Sequence, residues 1–184
     1  MQPIQRRILS VLLLLAGVAW VFLRADKIGA STAGRIPAPQ KGFLAPEFTL
    51  ATPKGEKITL SELKGKAVLV NIWATWCGPC REEMPTIEKV YQEYKDQGLV
   101  VLGVNSTFQD NQVGIVPFLE EYNITFPVVL DETGDVARKY DLRSLPSSFF
   151  VNRDGTINEV VIGGPMSEAL LRTRIEEILN SPSN

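Results

Sequence analysis

The sequence predicts an α/β fold in which a mixed central sheet is flanked by helices, and three patterns carry that prediction. Ala67 to Trp73 and Leu99 to Val104 are near-continuous apolar runs of the kind that form buried central strands. Between them Met84, Ile87, Val90, Tyr91 and Tyr94 recur at helical spacing, with charged residues on the other faces. Near the C-terminus, Ser148 to Val151 and Thr156 to Val161 flank Asn152-Arg153-Asp154-Gly155, which reads as a hairpin. Strand, helix, strand implies parallel pairing, and the closing hairpin makes the sheet mixed.

Taken in order, the chain opens on a membrane-targeting pattern. Arg6 and Arg7 precede an uncharged run from Ile8 to Leu23, between a signal-peptide core (roughly 7–15 residues) and a comfortable transmembrane helix (roughly 17–25). The small residues Gly17-Val18-Ala19 lie inside the run, so residues 1–23 read as an uncleaved anchor in preference to a cleaved signal sequence. The two arginines place the N-terminus in the cytoplasm and the rest of the chain outside it, as a single-pass membrane protein. Residues 24–45 mix Gly, Ala, Ser and Pro and read as a flexible tether reaching about 25 Å. The folded domain is expected over residues 46–184.

Within it, Phe48 to Leu50 and Lys57 to Leu60 flank Pro53-Lys54-Gly55 as an N-terminal hairpin. Pro85 removes a hydrogen bond from the first long helix and should kink it, and Gly98 closes it. Val113 to Tyr122 reads as a helix, and Phe126 to Leu130 with Asp135 to Tyr140 as an inserted strand and helix. Ser167 caps a last helix ending near Leu179, with Leu170, Leu171, Ile175 and Ile178 inward.

Composition narrows the chemistry. The 184 residues hold 19 basic and 21 acidic side chains, so no basic stripe suggests nucleic acid. With no histidine, imidazole general-base chemistry is excluded. Both cysteines fall in Trp76-Cys77-Gly78-Pro79-Cys80, where the first apolar strand gives way to the helical pattern. On a helix beginning at Cys77 the two lie on one face, within reach of a disulfide after modest adjustment. Cys77, at the helix N-terminus, should form a thiolate near neutral pH and attack. Cys80, one turn in, would be more buried and resolve. Pro79 suits the first turn, where its missing N–H is not needed. A zinc site would need ligands that this chain does not supply, a structural staple across so short a loop adds little stability, and two unrelated thiols fit the Gly-Pro spacing poorly.

This element order, with Trp-Cys-Gly-Pro-Cys between the first central strand and its helix, resembles the thioredoxin fold. The N-terminal anchor, the early hairpin, the insert around Phe126 to Tyr140 and the segment Asn71 to Cys77 resemble the membrane-anchored TlpA/ResA/CcmG-like thiol-disulfide oxidoreductases. The resemblance implies that Cys77 is an exposed nucleophile, that Cys80 resolves, and that the redox-active Cys77–Cys80 disulfide serves with no other cofactor. It implies that Trp76, Gly78 and Pro79 border the substrate, and that Leu145-Pro146 forms a cis-proline loop offering backbone to an extended segment. Glu83 matches an acidic position near the site and is placed to accept a proton from Cys80; the competing reading is a solvated charge in Arg81-Glu82-Glu83. Asn71 stands where cytoplasmic thioredoxins carry an aspartate, and it cannot titrate. Gly163-Gly164 reads as a border of the groove or as a simple turn.

The implied activity is reduction of protein disulfides outside the cytoplasm. Apocytochrome c and copper-site proteins are the implied substrates, and a DsbD/CcdA-type membrane dithiol carrier the electron donor. The Gly-Pro dipeptide resembles reducing thioredoxins, near about −270 mV, more than strong oxidants near about −120 mV. An oxidase or isomerase, and a non-enzymatic tethered peptide-binding module, are the alternatives. A peroxiredoxin shares the scaffold, but its Pro-x-x-x-Thr/Ser-x-x approach to the cysteine is missing before Cys77.

Overall fold

A computed structural model describes residues 36–182. The expected anchor and most of the tether lie outside that range; among the described residues no helix is long and apolar enough to cross a membrane. The strands are β1 (Thr49–Ala51), β2 (Lys57–Thr59), β3 (Ala67–Trp73), β4 (Leu99–Asn105), β5 (Val128–Leu130), β6 (Ser147–Val151) and β7 (Ile157–Ile162). The helices are α1 (Gly78–Tyr94), α2 (Gln112–Glu121), α3 (Asp135–Lys139) and α4 (Glu168–Leu179). The sheet runs β2-β1-β5-β4-β3-β6-β7. β3, β4 and β5 pair in parallel, whereas β6 and β7 close one side and β1 and β2 the other by antiparallel pairing. The mixed sheet, the N-terminal hairpin and the β5–α3 insert follow the expected order.

β3 has neighbours on both sides, so all seven of its residues are buried and the side chains alternate between two cores. Leu69 and Trp73 join Met84, Ile87 and Val90 of α1, Phe118 of α2, and Leu171, Ile175 and Ile178 of α4. Val68, Val70 and Ile72 join Phe48, Leu60, Val136, Tyr140 and Phe149 on the opposite face. Leu170 is half-buried at the margin of the first core.

Three local details differ from or refine the reading above. The folded unit starts before Pro46. Gly42 N–H donates to Ile157 O, Ile157 N–H to Phe43 O and Ala45 N–H to Gly155 O, so residues 37–45 of the expected tether lie along the β6–β7 hairpin. Their small, proline-rich composition gives no apolar period, yet backbone hydrogen bonds need none. α1 continues through Pro85 to Tyr94, then tightens into a 3-10 turn that Gly98 ends at φ 94°. Ser167 caps α4 by accepting the Leu170 N–H at 3.3 Å.

Leu69 is fully buried where β3 meets the first core. Leu69→Ala should cost about 2–5 kcal/mol, read as a lower urea midpoint at unchanged slope.

Candidate active site

The site lies at the C-terminal edge of the parallel strands, where β3 delivers the chain to α1. Cys77 is the N-cap of α1: its backbone is extended, and its sulfur accepts the Cys80 N–H at 3.2 Å. The two cysteines are joined in a disulfide with Cα atoms 5.2 Å apart. Cys80 is fully enclosed. Cys77 is only 4% exposed, so the expected exposed nucleophile is nearly covered in the oxidised state; it is nonetheless the cysteine that lines the adjoining groove. That groove, about 710 Å³, is walled by Trp76, Gly78 and Pro79 on one side and by Phe108, Arg143 and Leu145 among others. Trp76 stands 59% exposed, its indole N–H donating to Gln109 O at 3.0 Å.

The loop before Cys77 is pinned by Asp110, which follows β4. Its carboxylate accepts the Thr75 N–H at 2.7 Å, the Thr75 hydroxyl at 2.5 Å, the Asn105 amide at 2.7 Å and the Asn111 N–H at 2.8 Å. Arg81 donates to Thr75 O at 3.3 Å and lies over the Phe118 and Tyr122 rings. Neither Asp110 nor Gln109 stands out in the sequence; the one available signal is an Asp-Asn pair before a helix, which reads equally as a cap.

Leu145 and Pro146 are joined by a cis bond. Leu145 faces the groove, whereas Pro146 is buried behind it and its carbonyl is taken by the Gly163 N–H at 2.8 Å. Of the two, Leu145 is therefore the residue that can meet a ligand. Gly163 sits at φ 83°, and the Gly163-Gly164 pair is a turn docked on Pro146 and not a wall of the groove.

Glu83 settles against the solvated-charge reading, being 2% exposed in the second turn of α1. One carboxylate oxygen accepts the Asn71 amide at 2.9 Å and the other accepts the Met166 N–H at 3.1 Å. The same Asn71 amide donates to Ser148 Oγ at 3.0 Å. Burial pushes the Glu83 carboxyl above the usual range, against the opposing pull of the Met166 and Asn71 hydrogen bonds. Ser148 and Met166 were not singled out in the sequence. For Ser148 a signal existed, a hydroxyl in an otherwise apolar strand beside Asn71 in another; a backbone N–H such as that of Met166 leaves none.

An apposed cysteine pair at a helix N-terminus, beside a cis-proline on this sheet, defines a thioredoxin-fold thiol-disulfide oxidoreductase. The chain belongs to the AhpC/TSA family, which matches over residues 42–160, and within it to the ResA-like thiol-disulfide oxidoreductases. The thiol-disulfide oxidoreductase ResA of Bacillus subtilis (strain 168) is 38% identical over 131 residues, 71% of this chain and 72% of that protein. A thioredoxin-family thiol:disulfide interchange protein from Chlorobium tepidum TLS superposes with a TM-score of 0.69 at 27% identity, covering 80% of this chain and all of its own, 100%. An exposed lipoprotein thioredoxin from Streptococcus pneumoniae strain TIGR4 gives 0.63 at 26% identity over 72% of this chain and 99% of its own. The substrates of such an enzyme are protein thiols and disulfides.

Because the carboxyl of Glu83 is raised in the folded state, the native protein binds more protons than the unfolded chain once pH exceeds the ordinary glutamate value of about 4.3. Glu83 therefore contributes stability that is present below that value and lost as pH rises through the folded-state ionisation. Glu83→Gln should remove this loss, so that the variant gains on wild type with rising pH in paired urea titrations.

Proposed function

We propose that the chain is a membrane-tethered, extracytoplasmic thiol-disulfide reductase in which Cys77 attacks and Cys80 resolves. The observation that carries the order of attack is the asymmetry of the pair: Cys77 caps α1 and faces the groove, and Cys80 is sealed behind it. In the dithiol form the Cys80 N–H and the helix N-terminus favour negative charge on the Cys77 sulfur.

The thiolate attacks one sulfur of a substrate disulfide, forming a Cys77–substrate bond and releasing the other substrate sulfur as thiolate. Cys80 then loses its proton to Glu83 and attacks the Cys77 sulfur. This restores the Cys77–Cys80 bond and releases the second substrate thiolate, so two electrons pass from the protein to the substrate. Trp76, Gly78, Pro79 and Leu145 border the approach, and Leu145 supplies backbone for an extended segment ahead of Pro146.

Tethering rests on the basic-then-apolar N-terminus, and the exposed lipoprotein thioredoxin of Streptococcus pneumoniae supports an extracytoplasmic setting. The reducing direction rests on the Gly-Pro dipeptide. Resemblance to the TlpA/ResA/CcmG group supports cytochrome c maturation as the setting. Apocytochrome c cysteines would then be substrates, copper-site proteins a further class, and a membrane dithiol carrier of the DsbD/CcdA type the donor.

Cys80→Ser should accumulate mixed disulfides through Cys77 that reductant releases, whereas Cys77→Ala should trap nothing and abolish insulin reduction. Retained turnover in Cys77→Ala would reject Cys77 as the nucleophile, and retained partner function without turnover would leave a peptide-binding module as the reading. The couple should titrate near about −270 mV, and a potential above about −150 mV would make the enzyme an oxidase or isomerase.

A further inference from the structure

Gly164 lies outside the groove and touches neither sulfur, yet it occupies the tightest glycine position in the described residues. A Cβ built there would fall 2.7 Å from Pro146 Cγ, 3.2 Å from Pro146 Cδ and 2.9 Å from Glu83 Oε2. Real Cβ atoms do not approach so closely, and neither neighbour can yield cheaply. The Pro146 ring is rigid and buried, and the Glu83 carboxylate is held from both sides by Asn71 and Met166. Gly164 does not have a positive φ, unlike Gly163, so backbone conformation does not demand glycine here. The demand is steric.

We propose that Gly164 is a positioning residue: its missing side chain lets the cis-proline loop and the Glu83 carboxylate close on one another, and the turn it starts delivers the Met166 N–H to that carboxylate. Three separate stretches thereby meet at one point. The Leu145-Pro146 loop borders the groove, the Gly163 N–H ties the turn to Pro146 O, and two residues beyond Gly164 the Met166 N–H fixes Glu83 Oε2. Asn71 of β3 and the backbone N–H of Met166 are the hydrogen-bond partners of Glu83, no charged side chain acts on its carboxyl, and Cys77 and Cys80 are the other groups in this core that can titrate once reduced. The inference deepens the reading of Glu83 as the acceptor of the Cys80 proton.

The test uses the full-length chain in detergent micelles. With 15N-methionine labelling, the three methionines leave Met84 and Met166 as the internal amides. In wild type the Met166 amide resonance should titrate with the Glu83 carboxyl, and the rate of exchange with a peptide disulfide should rise with pH through the same midpoint. Glu83→Gln should abolish the Met166 response and remove that inflection from the rate profile, leaving the rise set by Cys77 ionisation. Gly164→Ala should lose the Met166 response, displace the rate inflection and lower the rate at pH 7 by at least about tenfold, with a smaller loss in a Glu83→Gln background, where the contact with Pro146 persists but the carboxylate no longer contributes.

An unmoved inflection in Gly164→Ala, or a Met166 amide that still titrates there as in wild type, overturns the proposal. Should Gly164→Ala fail to fold, a wild-type Met166 amide that does not titrate overturns it alone. An exchange profile indifferent to Glu83→Gln rejects Glu83 as the proton acceptor instead, and the positioning by Gly164 is then decided by the amide.

Discussion

The burial of β3 on both faces is the constraint from which the active site follows. A strand with sheet neighbours on each side and no polar face must be covered above and below, so the chain leaving its end has to turn back over it. That return is α1, and its first turn is left at the sheet's C-terminal edge, where the Cys80 N–H has no helical carbonyl to pair with and is taken by the Cys77 sulfur. Cys77 and Cys80 occupy that turn. The reactivity of the pair is thus a by-product of covering a strand, and the loop between strand and helix needs only to be held still. Asp110 holds it, accepting four hydrogen bonds from the Thr75, Asn105 and Asn111 groups.

A second, buried layer is polar. Asn71, Ser148 and Glu83 form a polar seam inside an apolar core, and such a seam persists only where its members satisfy one another. Asn71 supplies both donated bonds from one amide nitrogen, leaving its Oδ1 without a partner among the described residues. The seam keeps a carboxyl group out of water within a helical turn of Cys80. A solvated carboxylate would be ionised throughout the working range; a buried one is tuned toward it.

Legibility in the sequence tracked how local each feature is. β3, β4 and α1 are dense apolar patterns, and Ser167 is a cap read from its own neighbours, so all appear where expected. The disulfide was legible because both partners share one turn. Glu83 was ambiguous because its flanks, Arg81 and Glu82, are those of a surface charge, and the groups that bury it come from β3 and from a turn 83 residues away. The docking of residues 37–45 was misread as tether for a similar reason: its partners are backbone atoms of a distant hairpin. Gly163-Gly164 left two readings open, and the closeness of Pro146 and Glu83, invisible along the chain, decided for the turn.

The placement of Pro37 adds a mechanical consequence. Pro37 pairs with Leu44, which pairs with Thr156 in the β6–β7 turn, and it shares a small cavity with Lys66 and Val68 at the start of β3. Cys77 follows the other end of that strand, roughly 20 Å away at about 3.3 Å per residue. Residues 37–45 and the disulfide therefore lie at opposite ends of β3, so a change in how this segment docks on the β6–β7 hairpin reaches the sulfurs only through the length of a strand buried on both faces.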